Sequence, residues 1–420
     1  MPLRKSYFHS QLFYLLLLLA VGILPFTIYL ILPIALLMII NWIAEWNWKE
    51  KICCLKQNPG KYFFILFISL YLIYIIGLIY TDNFPNAFSI LESKSLLLAA
   101  PLLIFTAHPE VLTSKRINTI FLVFLFSCTL LAITNIVMAS FDYANDGKVR
   151  NFFYVELSRF MHPSYSSMFM NLSVVFSLYF LFINPVKLKR NLKILLWISI
   201  PILIVYIFLL QSKAGLLVFA VIFFILGLYL INFKKRRFLL TVLFILLFLS
   251  TPIVLMKLIT IPVNRIGTAV HDLENIQSVK NPEESTMQRI VVWKVTWDLA
   301  IDNLPFGVGT GDVKDVLINQ YKNKKLTHIL EKQFNAHNQY LQTFLALGIA
   351  GLLILISYIV IPFLYAIKKR DILLFLFIII IALNMLVESM LERQAGCDFM
   401  ALFISLLIFR ITIPKKEIEA

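Results

Sequence analysis

The sequence predicts an all-α integral membrane protein of about twelve transmembrane helices, with a large helical loop between the ninth and tenth spans. Of its 420 residues, 60% are hydrophobic and 15% are charged, whereas soluble globular proteins average about 45–50% apolar and about 25% charged residues. The apolar residues form long runs, and the basic residues concentrate in alternate connections between those runs. This composition excludes a cytosolic enzyme, a disordered chain and a small secreted domain held by disulfides.

The apolar runs define the predicted spans, because a helix needs about 20 mostly apolar residues to cross the hydrocarbon core of a bilayer. No small-residue cleavage pattern follows the first ten residues, so we expect the first run to be a retained span rather than a signal peptide. The predicted spans are 11–27, 28–45, 62–80, 87–107, 117–139, 164–183, 194–211, 213–232, 238–258, 339–365, 372–391 and 396–413.

The basic residues predict the orientation of these spans. Short cytoplasmic loops are enriched in Lys and Arg, and 21 of the 38 basic residues lie at the termini and in alternate connections. Both termini are therefore expected in the cytoplasm, and the net charge of +15 needs no nucleic acid to explain it. This topology predicts one group of residues on the outer side, opposite Arg236 and Lys369: Lys94, Lys213, Arg265, Arg289 and His337.

The chain is predicted to divide into three parts: spans one to nine over 1–258, a catalytic loop over 259–338, and the last three spans with a cytoplasmic tail over 339–420. The loop carries equal numbers of acidic and basic residues and is too long for a simple connection. Loops of this length usually carry function. No repeat relates the two halves of the chain, which weakens the case for a transporter built from repeats.

Two helices are predicted within the loop, one starting at a capping box at Ser285 and a more polar one over 312–332. Between them lie three alternate glycines, Gly307, Gly309 and Gly311, which free the backbone to turn tightly and to approach a ligand. Their spacing fits neither a dinucleotide fingerprint nor a phosphate-binding P-loop. The alternative interpretation is a flexible hinge.

Three basic residues are candidates for binding an anion at the outer membrane surface. Arg289 is expected in the first turn of the capped helix, where free backbone N–H groups also favour an anion. Arg265 follows the ninth span, and Lys213 lies in a short polar turn between two spans. Each alone could be a solvated side chain, but together they predict a clamp for a lipid-linked phosphate.

Histidines at the outer ends of two spans are the remaining candidates. His337, followed by Asn338, precedes the tenth span, and an imidazole can act as a base near neutral pH. Gly348 and Gly351 follow, and glycines three apart would let another helix pack closely. His162, near Arg159, precedes the sixth span and is either a second site residue or a feature of the helix start. The four cysteines show no ligand spacing with histidine, and no metal or cofactor site is predicted.

These motifs resemble those of the O-antigen ligase/polymerase superfamily. The resemblance rests on His337-Asn338, then nine residues, then Gly348-x-x-Gly351, on the preceding Arg289, and on the glycine-rich run that begins at Pro305. It covers roughly residues 211–409, and the first half of the chain matches mainly in hydropathy. The resemblance implies a GT-C-like fold and an inverting, metal-independent glycosyltransferase that uses a glycan linked to undecaprenyl diphosphate. O-antigen ligases pass that glycan to lipid A-core on the periplasmic face of the bacterial inner membrane.

The same resemblance implies roles for individual residues. His337 corresponds to the loop histidine that is proposed to activate the acceptor hydroxyl, and Arg289 corresponds to the loop arginine. Lys213 stands where the family usually has arginine, and lysine keeps the charge but loses bidentate recognition of phosphate. Glu388 lies in a segment that resembles an outer-edge segment of relatives.

Other functions remain open at this stage. Within the superfamily, the chain could be an O-antigen polymerase or a protein O-oligosaccharyltransferase, and from another class it could be a lipid-oligosaccharide flippase. Polymerases often show an arginine followed after ten residues by glycine, and no such pair starts at Arg150, Arg159, Arg265 or Arg289. The polar residues cluster at one outer face, which favours a ligase over a flippase. The expected partners are the lipid-linked donor, the lipid A-core acceptor and membrane lipids.

Overall fold

The computed structural model describes residues 2–183, 188–231 and 285–412, and these residues form only helices and connections. The helices are α1 Pro2–Ile23, α2 Ile31–Ala44, α3 Trp48–Gln57, α4 Lys61–Ile76, α5 Phe84–Ser93, α6 Leu96–Phe105, α7 Ser114–Asp146, α8 Tyr154–Leu157, α9 Pro163–Leu178, α10 Arg190–Leu209, α11 Lys213–Ile231, α12 Ser285–Asp302, α13 Val313–Asn323, α14 Thr327–Glu331, α15 Gln339–Lys369, α16 Ile372–Val387 and α17 Gln394–Thr412. The all-α prediction is thus confirmed for the described part.

Seven of the described helical segments are long and apolar enough to cross a membrane. An eighth is possible if α2 and α3, which are bent by 108° relative to each other, count as one span. Apolar segments within α1 and α11, together with α16, are shorter. Eleven of the twelve predicted spans overlap these helices, and the span 238–258 lies outside the described residues. The chain is a multi-pass membrane protein, while the count of twelve stays a prediction.

Helix α9 forms the centre of the bundle. All sixteen of its residues are buried, and α7, α10, α11 and α16 pack around it. Serines within it satisfy their hydroxyls on its own backbone: Ser173 Oγ donates to the Phe169 carbonyl at 2.9 Å, and Ser177 Oγ to the Ser173 carbonyl at 3.0 Å. A mostly apolar helix that satisfies several of its own hydroxyls is suited to a buried position, and the surrounding helices hold its first turn at the site described below.

Helix α15 is interrupted at Gly348, whose backbone is not helical (φ 64°, ψ −153°). The loop that follows α12 crosses this break and replaces the missing helical bonds. Val308 N donates to the Leu345 carbonyl and Gly309 N to the Ala346 carbonyl, both at 2.9 Å, and Ile349 N donates to the Pro305 carbonyl at 3.1 Å. A Cβ atom at Gly348 would overlap the Pro305 carbonyl oxygen, so only glycine fits this crossing.

Two predicted details, one in the loop and one in the tenth span, were wrong. The polar helix expected over 312–332 is divided into α13 and α14, because Lys325 adopts a left-handed conformation (φ 55°) that no α-helix continues through. The expected helix packing against Gly348 is also absent from the described structure, since the backbone of the 305–309 loop occupies that position. The helix predicted from Ser285 is present as α12.

Candidate active site

The carboxylate of Glu388 contacts both Arg289 and His337, which lie far apart in the sequence. Its Oε1 atom lies 2.8 Å from a terminal nitrogen of Arg289, and its Oε2 atom lies 3.3 Å from His337 Nδ1. The side chain of Glu388 is 12% exposed, that of His337 is 21% exposed and that of Arg289 is 23% exposed. The three groups therefore form a half-buried cluster that still reaches solvent, hereafter the Glu388 cluster.

Backbone and capping bonds place His337 beside Glu388. Asn338 is the N-cap of α15, where its Oδ1 accepts from Leu341 N at 3.1 Å. The same residue binds the end of α16, since its N–H donates to Ser389 Oγ at 3.2 Å and its Nδ2 donates to the Leu386 carbonyl at 3.1 Å. The start of α15 is thus fixed against the end of α16, and His337 immediately precedes this joint.

His337 itself is held in an uncommon backbone conformation. Its φ is +44°, a left-handed value that non-glycine residues adopt infrequently and that His tolerates better than most. Trp293 Nε1 donates to the His337 carbonyl at 3.2 Å, and the Phe334 ring meets the imidazole edge to face at 4.8 Å between centroids. Such conformations persist only where surrounding contacts enforce them, and the ring itself is constrained by its contacts with Phe334 and Glu388.

The first turn of α9 completes the surroundings of Glu388. Ser164 Oγ lies 3.3 Å from Glu388 Oε1 and can donate to it. His162 is the N-cap of α9, and its Nδ1 accepts from Ser164 N at 3.4 Å. Burial lowers the pKa of His162, and the positive charges of Arg289 and Arg393 add to this, whereas the charge of Glu388 opposes it. A neutral imidazole is the form that can accept the capping hydrogen bond.

Glu388 lies one residue beyond the apolar helix α16, and its ionisation reflects its partners. Burial alone would raise the pKa of its carboxyl, but the hydrogen bond from His337 and the charges of Arg289, His337 and His162 outweigh burial. The pKa of Glu388 is therefore below its ordinary value, and the group is a carboxylate at neutral pH. An anionic Glu388 can orient the imidazole and hold the guanidinium at once.

Of the other basic residues predicted for the site, the structure describes Lys213 and Arg159. Lys213 is exposed at the start of α11, whose first turn packs against α9. Asn171 Nδ2 of α9 donates to the Gly215 carbonyl of α11 at 3.0 Å, so Lys213 is at the same end of the bundle as Ser164. Arg159 forms an ion pair with Asp142 near the end of α7. Arg265 lies outside the described residues.

The three alternate glycines line the joint between the loop and the membrane helices. Gly307 and Gly309 have positive φ, and a Cβ atom at Gly307 would overlap the backbone of Leu345 and Ala346. Gly311 lies against the Asn83 carbonyl between α4 and α5. The described contacts of these glycines are therefore with other parts of the chain. They let the loop pack closely against α15 and against the connection that follows α4.

In the sequence, Glu388 is marked only by the resemblance to relatives, and Ser164 is not marked at all. Nothing periodic marks a carboxylate that follows an apolar helix, and the serine is one of several in α9. In the described residues, no group of three or more His, Cys, Asp or Glu side chains is placed to hold a metal ion. The arrangement offers a base, an anion that orients it, and at least one cation within contact of that anion.

Residues 194–356 match the family described as O-antigen ligase. The match includes Lys213, Arg289 and His337 but ends before Glu388, and it begins earlier than the resemblance drawn from the motifs. No curated protein matches the chain. The family match confirms the predicted resemblance to the O-antigen ligase/polymerase superfamily.

Proposed function

We propose that this chain, whose residues 194–356 match the O-antigen ligase family, is an O-antigen ligase. It transfers a glycan from undecaprenyl diphosphate to lipid A-core on the periplasmic face of the bacterial inner membrane. The reaction uses no metal or other cofactor and inverts the anomeric centre. The single observation that carries this proposal is the contact of one carboxylate, Glu388, with both His337 and Arg289.

His337 is the base of the proposed reaction. With Nδ1–H donated to Glu388, the lone pair of Nε2 is available to take a proton, and the carboxylate stabilises the imidazolium that results. The acceptor hydroxyl of lipid A-core loses its proton to Nε2 as its oxygen attacks the anomeric carbon of the first sugar. The bond from that carbon to the phosphate oxygen breaks, and undecaprenyl diphosphate leaves.

The leaving group requires positive charge rather than a metal. A diphosphate already leaves readily, and catalysis improves when fixed cations match the negative charge that develops on it. Arg289 meets Glu388 through one terminal nitrogen, and a guanidinium carries five N–H donors. Its remaining donors are assigned to the donor diphosphate, with Lys213 and Arg265 as the further members of the clamp.

The arrangement of the helices suits two lipid-embedded substrates. The Glu388 cluster lies where α9, α15 and α16 begin or end, at one end of the apolar bundle. Donor and acceptor held in the same leaflet would present their reacting groups at this depth. Residues 285–338 would then face the reacting groups from the periplasm while membrane helices hold the lipid tails.

A lipopolysaccharide gel tests this assignment directly. Deletion of the gene should remove all long glycan chains from lipid A-core while lipid-linked polymer accumulates, and the wild-type chain should restore them. Core that carries a single repeat unit would instead identify a polymerase. Core without long chains, with the lipid-linked glycan retained in the cytoplasmic leaflet, would identify a flippase and would remove the enzyme proposal.

A further inference from the structure

Lys94 is completely buried at the end of the bundle that holds the Glu388 cluster. Its side chain is 0% exposed, and it lies in the two-residue break between α5 and α6. Its ammonium pairs with Glu392 Oε1 at 2.9 Å, donates to the Leu391 carbonyl, and lies 4.8 Å from the centroid of the Tyr74 ring. Burying an ammonium is costly unless it is paired and hydrogen-bonded, so each of these contacts constrains its position.

The partners of Lys94 belong to the segment that carries Glu388. This segment, Glu388–Glu392, forms most of the connection between α16 and α17, and Glu388 itself is extended (φ −142°, ψ 142°). Leu391 N donates to Gln339 Oε1 at 2.7 Å, and the Leu391 carbonyl accepts from Lys94 and from Cys397 Sγ. At the other end of the segment, Ser389 Oγ accepts from Asn338 N. Besides Asn338, Gln339 and the partners of Glu388 itself, Lys94 ties this segment to a separate part of the chain.

We propose that Lys94 is a positioning residue that fixes the Glu388–Glu392 segment and thereby holds the Glu388 carboxylate against His337. Without the ammonium, the Leu391 carbonyl loses a charge-assisted donor and Glu392 loses its ionic partner. The segment then relaxes, and Glu388 moves relative to the imidazole. The geometric part of this proposal stands by itself, whereas its catalytic consequence rests on the proposed function.

The chain offers a matched control in Lys51. That lysine has a side chain 7% exposed, pairs with Glu45 at 3.0 Å, donates to the Trp42 carbonyl and lies 4.8 Å from the centroid of the Trp42 ring. Lys51 therefore has the same three kinds of partner as Lys94: a glutamate, a backbone carbonyl and an aromatic ring. Trp42 contacts Thr106 at the far end of α6, so the two lysines are separated by the length of that ten-residue helix, about 15 Å. Lys51→Met removes an equivalent buried charge away from the site.

The first readout needs no activity. Histidine-labelled protein reports the tautomer of His337 by ¹⁵N NMR, with His337→Gln used to assign the signal. Wild type and Lys51→Met should show the proton on Nδ1, where Glu388 holds it, whereas Lys94→Met and Glu388→Gln should both lose that preference. A wild-type His337 spectrum in folded Lys94→Met protein would overturn the proposal. If the expected spectra are found but the wild-type protein transfers no glycan, the positioning role stands and the proposed function fails.

The second readout separates positioning from charge balance. Lys94→Met should lower the rate of glycan transfer at saturating substrate by about tenfold to a hundredfold, as small displacements of a catalytic group do, while Lys51→Met stays near wild type. The double variant Lys94→Met/Glu392→Gln leaves neither member of the ion pair charged, so it avoids the destabilisation that an unpaired Glu392 would cause. It should remain as slow as Lys94→Met, because the Leu391 carbonyl still lacks the charged ammonium donor and keeps only the weak Cys397 thiol. Full activity of the double variant would overturn the proposal.

Discussion

His337 Nδ1 lies 3.3 Å from Glu388 Oε2 although 51 residues separate them in the chain. The two are brought together because Asn338 caps α15 and, through its N–H and Nδ2, binds the end of α16. A carboxylate behind an imidazole selects the tautomer with the proton on Nδ1 and leaves Nε2 as the base. The contact therefore links the joint between two membrane helices to the proposed chemistry.

Replacing Glu388 tests the orienting role. Glu388→Gln presents an amide that can donate to Nδ1, which favours the wrong tautomer, so the maximal rate of transfer should fall by about 10²- to 10⁴-fold. Binding of the lipid-linked donor, measured separately, should change far less. A Glu388→Gln enzyme with near-normal maximal rate and a raised KM for donor would show that Glu388 serves substrate binding instead.

Replacing Arg289 tests the cation of the cluster. Arg289→Ala removes one partner of the buried Glu388 carboxylate, so it should lower thermal stability and reduce transfer by at least about a hundredfold. Arg289→Lys keeps the charge but loses the planar fork, so it should recover most of the stability and only part of the activity. Comparable kinetics for the alanine and lysine variants would indicate that the charge of Arg289 is not used.

Replacing Gly348 tests the contact between the 305–309 loop and the break in helix α15. Gly348→Ala forces a residue with a Cβ into φ +64° and into the Pro305 carbonyl, so the strain of about 1–3 kcal/mol for the backbone conformation is increased by a collision. Gly147→Ala is the matched control, since Gly147 has φ +67° with nothing near its Cβ position. Thermal unfolding in detergent should show a clearly larger loss for Gly348→Ala. Equal losses of thermal stability in the two variants would mean that the 305–309 loop shifts to accommodate the added Cβ atom.

The lowered pKa of His162 predicts that the stability of the folded protein depends on pH. Because the pKa of His162 is lowered in the folded protein, the unfolded chain binds more protons as the pH falls below about 6.5, the usual histidine value. Stability should therefore decrease from pH 7.5 to pH 5.5. His162→Asn keeps an N-cap acceptor but does not titrate, so its melting temperature should fall less over this interval. An unchanged pH slope in His162→Asn would assign the acid sensitivity to other groups.

The sequence predicted the parts of the fold that depend on local composition. Each predicted apolar span that falls within the described residues overlaps a helix. The capping box at Ser285 coincides with the start of α12. The sequence also placed Arg289 and His337 among the candidates, since a basic residue in a first helical turn and a histidine before a span are local patterns. The family match over 194–356 then confirmed the resemblance drawn from them.

The remaining features depend on contacts between distant segments. Gly348 and Gly351 have the spacing of a helix-packing motif, but the partner of Gly348 is a loop about forty residues earlier, which no local spacing encodes. The pairing of Glu388 with His337 arises from the N-cap of α15 meeting the end of α16, and the buried Lys94 finds its ionic partner in the distant 388–392 segment. Each of these is a tertiary contact between residues more than forty positions apart.

The rate of glycan transfer by purified His337→Gln enzyme, assayed with lipid-linked glycan and lipid A-core, tests the proposed base most directly. Glutamine can hydrogen-bond the acceptor hydroxyl but cannot take its proton, and general base catalysis contributes about 10²- to 10⁴-fold. We therefore expect turnover to fall by at least about a hundredfold while the donor still binds, because the clamp consists of other residues. Near-normal turnover of folded His337→Gln enzyme would contradict a base at this position and leave electrostatic stabilisation as the source of catalysis.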